Sequence, residues 1–295
     1  MQQAAQVTHR PYTPWLFLAP GLAICLMFTI FPFVNMIVLA FTDASALGGG
    51  RFTGVDNFVR MAEDPKFWLA ARNSALYMIG VVPPLVLLPL LIAMLAQKVV
   101  PGIGIFRTAF FTPVIASAVV VGLIWTWLLD SRGLVNNVVE ALGGTRIGFL
   151  TDSTLLLISS MVVTVWRGLG YYMVIYLAAL ANVPKDLHEA AMVDGAGPIR
   201  RFWSVTVPSL RPTMVLVAAL SAVNGFRVFS EIYLLSGGTG GPGGASTTMV
   251  LLIQSVGRGL TGEVGYASAL SFVLFVILLG LLLVTLKLNR REEQL

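Results

Sequence analysis

Two groups of polar side chains lie inside long apolar runs of the sequence, where a charge is costly unless it is paired or faces water. Thr164, Arg167 and Tyr171 are spaced i, i+3 and i+7, so a helix places them on one face. Four polar residues of a later run likewise share a helical face: Ser221, Asn224, Arg227 and Glu231. These groups offer hydrogen bonding and ion pairing, and we expect both stripes to face one internal cavity.

The charged members of these stripes also have a structural interpretation. Arg227 and Glu231 are four residues apart and could pair directly along a helix, which would hold the end of that helix. Arg167 could equally pair with a carboxylate of another subunit. Binding and structural roles both stay open for Arg167, Asn224 and Arg227, whereas the structural role is favoured for Glu231.

The elements that must position these residues are membrane helices. Hydrophobic residues make up 57% of the 295 residues and charged residues only 11%, against about 25% charged in a soluble domain. Six apolar runs are long enough to cross a hydrocarbon core of about 30 Å, which takes roughly 20 residues. They are residues 15–41, 70–97, 105–129, 154–182, 212–235 and 267–288. The sequence therefore predicts an all-α polytopic membrane protein that forms a single domain over residues 1–295.

The residue types argue against several classes of function. A membrane-embedded enzyme would need a catalytic cluster, but His9 and His188, the two histidines, lie outside the predicted spans. No H-E-x-x-H or G-x-S-x-G pattern occurs either. The net charge of +5 comes from scattered basic residues, which does not indicate nucleic-acid binding. Cys25, the only cysteine, lies in an apolar run, where a small buried side chain is expected rather than a reactive thiol.

The distribution of Lys and Arg predicts that both ends of the chain lie in the cytoplasm. This orientation puts ten basic residues on the cytoplasmic side, Arg10 among them, and seven on the outer side. Three of the ten cluster directly after the last apolar run, at positions 287, 290 and 291. The outer loops are then predicted to carry a partly helical amphipathic segment over residues 55–68 and a short surface helix over residues 247–258.

Residues 183–211 form a charged connection between the fourth and fifth runs. Pro184 suits the first position of a helix, because its missing N–H group is not needed there. Asp186 and Glu189 suit the early turns, where negative charge interacts favourably with the helix dipole. The helix is predicted to run to about residue 194, because Gly195 can adopt a positive φ and turn the chain sharply.

The first short helix has the features of a docking element. Its small apolar side carries Leu187, Ala190, Ala191 and Asp194 at helical spacing. Alanine lets a partner approach the backbone closely, and Glu189 offers a polar contact beside this face, which suits insertion into a groove on another protein. An ordinary connector resting on the membrane surface fits the same pattern, so both interpretations stay open on the residues alone. Pro198 is predicted to begin a second helix that leads back to the membrane.

This segment resembles the EAA loop of ABC importer permeases. The pattern of that loop is filled by Glu189-Ala190-Ala191, then Asp194-Gly195, then an apolar-x-apolar-Pro ending at residues 205–208. The chain is also similar to the carbohydrate-uptake branch, of the maltose and trehalose type. Four further segments carry that similarity: residues 58–68, 106–108, 229–235 and 265–270. Ser230 departs from the branch, which more often shows aspartate there, and Glu231 could supply the charge instead.

The resemblance implies a type I ABC importer permease fold in the cytoplasmic membrane of a prokaryote. It implies five kinds of partner: a second permease subunit, two ATPase subunits, an extracytoplasmic sugar-binding protein, the sugar and membrane lipid. ATP and Mg²⁺ would bind to the ATPase subunits, and this chain would bind no cofactor and catalyse no reaction. The coupling residues would be Asp186, Leu187, Glu189, Ala190, Ala191, Asp194 and Gly195.

The substrate path implied by the resemblance combines the two polar stripes with aromatic faces. Its predicted residues are Arg167, Tyr171, Tyr172, Asn224, Arg227 and Glu231, with Trp166 and Phe226 as further aromatic candidates. A stand-alone secondary transporter of a small polar solute is the alternative. It would need ion-coupling carboxylates inside the membrane, and Glu231 is the only obvious one.

Overall fold

The structure is a computed structural model that describes residues 12–98 and 100–292. His9 and Arg10 lie outside the described residues. Within those residues the regular structure is helical, with two isolated β-bridges. The α-helices are α1 (Thr13–Cys25), α2 (Phe31–Leu39), α3 (Asp56–Glu63), α4 (Pro65–Ala96), α5 (Ile103–Ile115), α6 (Ala118–Leu129), α7 (Leu134–Ala141), α8 (Ser153–Ala181), α9 (Lys185–Val193), α10 (Pro198–Arg201), α11 (Val207–Phe226), α12 (Ser230–Leu235), α13 (Met249–Gly257) and α14 (Val264–Glu292).

Six helical segments are long and apolar enough to cross a membrane. They are Pro14–Leu39, Pro65–Ala96, Ala118–Ala141, Ser153–Ala181, Pro198–Phe226 and Val264–Thr285. The predicted all-α polytopic fold with six spans is therefore confirmed, and four of the six predicted runs agree closely with these segments. The third and the fifth differ.

The third predicted run is not one helix. It is divided into α5 and α6 by Ala116 and Ser117, which have extended backbones with ψ of 140° and 133°. The long segment found here is instead Ala118–Ala141, which itself includes a non-helical stretch at residues 130–133. Because residues on both sides of the break are apolar, composition gave no sign of it.

The fifth run begins earlier and ends earlier than predicted. Its helix is continuous from Pro198 to Phe226, so the predicted second loop helix and the fifth span are one element. The chain leaves the helix at residues 227–229 and then forms the separate helix α12. The predicted run to residue 235 was therefore wrong across this break.

Two π-helical segments interrupt the long helices, and each ends two residues before a proline. Leu26–Ile30 precedes Pro32, and Phe202–Thr206 precedes Pro208. A proline ring clashes with the carbonyl group four residues earlier in an α-helix. In both places that earlier residue lies within the π segment, whose wider turn displaces the carbonyl. This explains how both helices continue through a proline.

The described residues divide into two compact units. The first contains residues 12–61 and 256–273, and the second contains residues 62–98, 100–255 and 274–292. In the first unit, the Asn57 amide donates to the carbonyl groups of Ala40 and Thr42 at 2.9 and 2.8 Å. Arg60 pairs with Glu263 and lies 4.2 Å from the centre of the Tyr266 ring. These contacts fix α3, so the partly helical segment predicted over residues 55–68 is confirmed.

The core of the second unit is formed where α4, α8 and α11 pack together. Asp64 and Asp152 cap the amino ends of α4 and α8 by accepting from backbone N–H groups at 2.9 and 2.8 Å. The buried Tyr77 hydroxyl on α4 donates to the Ser160 carbonyl on α8 at 2.8 Å. Such bonds matter in a membrane, because no water is present to satisfy a buried polar group.

Close helix contacts in this core depend on glycine. A Cβ atom at Gly170 on α8 would lie 2.1 Å from the Phe110 carbonyl oxygen of α5. A Cβ atom at Gly225 on α11 would lie 2.7 Å from the Val81 side chain of α4. The backbones of these helices therefore approach more closely than any larger residue allows, as is common between membrane helices.

The short helix predicted over residues 247–258 forms as α13, and Met249, Leu251 and Leu252 on it are buried. One expectation about side-chain burial was wrong. Cys25, expected to be buried, is exposed on the chain. No residue of the span Pro14–Leu39 is buried within the described chain, so its side chains are available to lipid or to another subunit.

Candidate functional site

The six predicted path residues line one cavity of about 490 Å³, named here the Arg167 cavity. Helix α8 supplies Arg167, Tyr171 and Tyr172 from its middle. The end of α11 and the break after it supply Asn224, Arg227 and Glu231. Thr164 and Ser221 also line the cavity. The structure therefore brings residues of both polar stripes together around one cavity.

An ion pair joins the two sides of the Arg167 cavity. Arg167 Nη1 donates to Glu231 Oε1 at 2.8 Å, and the two side chains are 25% and 15% exposed. The predicted pair between Arg227 and Glu231 is wrong. Because the helix ends at Phe226, residues four apart across the break no longer lie on one helical face. Glu231 thus neutralises a charge on α8 within this chain.

Arg227 has a different environment from Arg167. Its Nη2 donates to Asn224 Oδ1 at 3.1 Å, and both side chains are exposed. Among the described residues no carboxylate lies within ion-pair distance of Arg227. The cavity therefore combines a neutralised Arg–Glu pair with one uncompensated guanidinium group that is open to a solute or to another subunit.

The aromatic faces of the Arg167 cavity differ partly from those predicted. Tyr171 and Tyr172 line it with ring centres 5.1 Å apart and planes at 77°. Phe229 lines it as well, in the break after α11, and sequence reasoning did not select it for this role. Phe226 is buried and Trp166 packs edge-on against Trp125 at 5.6 Å, so neither candidate lines this cavity.

The chemistry of the Arg167 cavity is that of binding. Hydroxyl, amide and guanidinium groups can exchange hydrogen bonds with a polar solute, and tyrosine rings can cover its apolar faces. The Nε atom of Arg167 is buried and has no hydrogen-bond partner, so the described residues do not use the full donor capacity of this side chain. The arrangement suits reversible contact with a polar solute.

The predicted coupling residues lie on α9 and the turn after it. The helix begins at Lys185, one residue later than predicted, with Pro184 as the capping residue at ψ 131°. Asp194 caps its carboxyl end. Gly195 has φ of +74°, which confirms the predicted turn. The Ala196 N–H group donates to the Ala191 carbonyl at 2.9 Å and closes the turn.

Most of the surface of α9 is not covered by the rest of the described chain, although His188 and Ala191 are half-buried. The helix contains no buried residue, and Glu189, Ala190 and Leu187 are exposed. Among the described residues no ion pair engages its carboxylates. Val193 next to the turn is 88% exposed. This helix therefore presents a small apolar face with adjacent negative charge, and the described residues leave that face free.

Comparison with known proteins agrees with this architecture. Residues 72–289 match the family described as binding-protein-dependent transport system inner membrane component. The lactose transport system permease protein LacF of Rhizobium radiobacter is 32% identical over 266 residues, which cover 89% of each chain. The arabinooligosaccharides transport system permease protein AraP of Bacillus subtilis is 31% identical over 279 residues, 94% of this chain and 88% of that one.

Solved structures share the fold. A chain of a bacterial alginate ABC transporter, crystallised with an alginate pentasaccharide-bound periplasmic protein, aligns with a TM-score of 0.83 at 23% identity. The alignment covers 95% of this chain and 94% of that one. The predicted resemblance to sugar ABC importer permeases is confirmed, and the relatives are transport permeases rather than enzymes. The chain belongs to the family of binding-protein-dependent transport system inner membrane components.

Proposed function

We propose that this chain is one of two permease subunits of an ATP-driven importer for sugars or oligosaccharides. The observation that carries the proposal is the Arg167 cavity, in which two polar stripes and two tyrosine rings meet between membrane helices. Planar hydrogen-bonding groups beside aromatic faces are what a polyhydroxylated solute needs. The names of the relatives, which include lactose and arabinooligosaccharide permeases, support the same class of substrate.

In this proposal the chain supplies half of the translocation path and no catalytic group. A second, similar permease supplies the other half. Two ATPase subunits hold ATP and Mg²⁺, while an extracytoplasmic binding protein delivers the sugar. Both ends of the chain lie in the cytoplasm, together with α9. The stand-alone secondary transporter is not favoured, because the relatives are named as permeases of transport systems and Glu231 is already engaged by Arg167.

The coupling step of the proposal assigns a role to each part of α9. Ala190 and Ala191 let an ATPase groove approach the helix backbone closely, and Leu187 adds an apolar contact. Glu189 pairs with a basic residue of the ATPase, and Asp186 and Asp194 add negative charge at the ends of the helix. Gly195 provides the turn that passes movement from α9 into the continuous helix beginning at Pro198. Closure of the ATPase dimer would thereby move the fifth span.

Transport in proteoliposomes tests the proposal. The chain is tagged, purified from its native membrane with its associated subunits, and reconstituted with a sugar-binding protein from the same organism. We expect sugar uptake that requires ATP, Mg²⁺ and the binding protein together. Uptake that proceeds without ATP and responds to an ion gradient would contradict the proposal and would favour the secondary transporter.

A further inference from the structure

A second cavity, of about 740 Å³, lies behind α9 and is named here the loop cavity. It is bounded by the ends of three membrane spans: α4 ends at Ala96, α8 ends at Ala181, and the fifth span begins at Pro198. Residues at all three ends line it, together with Lys185 and His188 of α9. Its position is therefore at the membrane boundary, on the side of the coupling loop, and none of its lining residues belongs to the Arg167 cavity.

The loop cavity carries an uncompensated positive charge. Arg107, Lys185 and Arg201 line it, and no Asp or Glu is among its lining residues. Among the described residues none of these three side chains is in an ion pair. The Nε atom of Arg201 is buried and has no hydrogen-bond partner. Because a buried donor or charge without a partner is costly, the cavity is electrostatically suited to an anion.

Arg107 already has one role at this place. Its Nε and Nη2 atoms donate to the Ala96 carbonyl at 3.0 and 2.7 Å, which caps the carboxyl end of α4. A neutral carbonyl does not cancel the guanidinium charge, and Nη1 remains for a further acceptor. The side chain is therefore held in place by α4 and can still contribute to binding an anion.

The remaining walls of the loop cavity are apolar. Met94, Val174 and Leu177 face it from α4 and α8, and Phe202 faces it from the start of the fifth span. A free inorganic anion would leave these side chains in contact with water. A phospholipid would fill both parts, with its phosphate against the basic residues and its acyl chain against the apolar walls. Basic pockets between membrane helices are known to hold anionic headgroups in this way.

We infer that the loop cavity binds the headgroup of an anionic phospholipid. This site goes beyond the proposed sugar path, since it depends only on the basic residues and the apolar walls of the loop cavity. A lipid bound there contacts α9 through Lys185 and the fifth span through Arg201 and Phe202. The lipid would thus contact both α9, the helix proposed to bind the ATPase, and the fifth span, which is proposed to move when the ATPase dimer closes.

Native mass spectrometry of the purified full chain tests this inference. The chain in neutral detergent is mixed with dioleoylphosphatidylglycerol or with dioleoylphosphatidylcholine, and retained lipid is counted. We expect tighter retention of phosphatidylglycerol, and a fall of about fivefold in Arg201→Gln, the size expected for one basic contact with an anionic lipid. The matched control is Arg200→Gln, because Arg200 is the exposed neighbour on the same helix and does not line the cavity. This control should bind as the wild type does.

Two further arms separate the possible occupants. Inorganic phosphate should displace no more phosphatidylglycerol than chloride at equal ionic strength does; stronger displacement would identify a site for a free anion and overturn the lipid assignment. Equal losses in Arg201→Gln and Arg200→Gln would overturn it as well. So would unchanged lipid binding in Arg201→Gln together with loss of a copurifying ATPase, since the cavity would then serve a protein partner.

A variant on another helix serves if Arg201→Gln impairs folding. If Arg201→Gln melts at a lower temperature than the wild type, Lys185→Gln replaces it, because Lys185 is exposed. The same fall in phosphatidylglycerol binding is expected, and unchanged binding would count against the inference. Since the measurement involves lipid and no transport, its failure would leave the importer proposal untouched.

Discussion

The Arg167 cavity and helix α9 both carry charged residues, but of these two regions only the cavity contains an ion pair within the described chain. In the cavity, Arg167 and Glu231 pair at 2.8 Å between packed helices. On α9, Glu189 is exposed and has no ion-pair partner among the described residues. Contacts within this chain therefore hold the cavity together, whereas the exposed groups of α9 have no binding partner among the described residues. Substitutions in the Arg167–Glu231 pair should change stability and transport together, and those on α9 should change transport alone.

The largest effect is expected on α9. Glu189→Lys reverses the charge proposed to meet a basic ATPase residue, and like charges in an interface cost several kcal/mol. Uptake should therefore fall by about 100-fold or more, while the amount and melting temperature of the chain in the membrane stay unchanged. The matched control is Glu63→Lys, an exposed glutamate at the end of α3, which should transport normally. Normal uptake by the Glu189→Lys variant would show that Glu189 has no role in coupling.

Gly195→Pro tests the turn after α9 separately from its charge. Proline holds φ near −65°, whereas this residue has φ of +74° and its N–H group donates to the Met192 carbonyl at 3.0 Å. We expect uptake to be lost and the other elements to remain folded, as judged by membrane insertion and circular dichroism. Full uptake in this variant would show that the turn does not transmit movement.

A smaller effect, shared between stability and transport, is expected for the ion pair. Arg167→Met leaves Glu231 without its partner in a site that is mostly buried. Removal of one partner costs about 3–5 kcal/mol in a fully buried pair, and we expect roughly 1–3 kcal/mol here because part of the pair is exposed. Thermal unfolding in detergent measures the loss. The double variant Arg167→Met with Glu231→Leu should recover part of the stability but not the uptake; no recovery would mean that the pair is not the cause.

Helix packing behind the cavity should affect stability by a similar or smaller amount. Gly170→Ala forces a methyl group towards the Phe110 carbonyl oxygen, 2.1 Å from its ideal position, and overpacking typically costs about 1–3 kcal/mol. Gly104→Ala is the matched control, since nothing lies within 4 Å of a Cβ atom there. The control should melt at the same temperature as the wild type or slightly higher. Equal melting of the two variants would contradict the close approach of α5 and α8.

The smallest change in stability is expected for Arg227→Ala. This exposed side chain is bonded only to Asn224 among the described residues, so its removal should alter the free energy of unfolding by at most about 0.5 kcal/mol. Sugar selectivity, or the stimulation of ATP hydrolysis by sugar, should change if Arg227 touches the solute. A large fall in melting temperature with unchanged selectivity would instead assign it a structural role.

The sequence predicted the membership of the Arg167 cavity better than its internal contacts. An arginine in the middle of an apolar run is anomalous enough to be noticed, and helical spacing then identifies its neighbours. The pairing of Arg167 with Glu231 could not be predicted, because no proline marks the end of α11 at Phe226 and Glu231 lies 64 residues from Arg167 in the sequence. Phe229 was missed as a lining residue for the same reason.

For the membrane spans, too, the sequence predicted the number of helices but not the breaks within them. Six long apolar helices follow from length and composition, and Gly195 follows from its position after a short helix. The break at residues 116–117 lies between apolar residues on both sides, so no change in composition marks it. The two π segments precede Pro32 and Pro208, but Pro89 and Pro113 lie inside α-helices without a π segment, so a proline alone does not predict one.

Cysteine crosslinking tests most directly the central claim that α9 docks on a separate ATPase subunit. Cys25 is the only cysteine, so Cys25→Ser gives a background into which Ala190→Cys is placed on the exposed face of α9. Val138→Cys on α7, where the side chain is 50% exposed, is the control. With a reagent that carries a maleimide for the cysteine and a photoreactive group for the neighbouring protein, we expect a crosslink from position 190 to the ATPase that changes with ATP, and none from position 138. Absence of a crosslink at 190, or equal crosslinking at both positions, would contradict it.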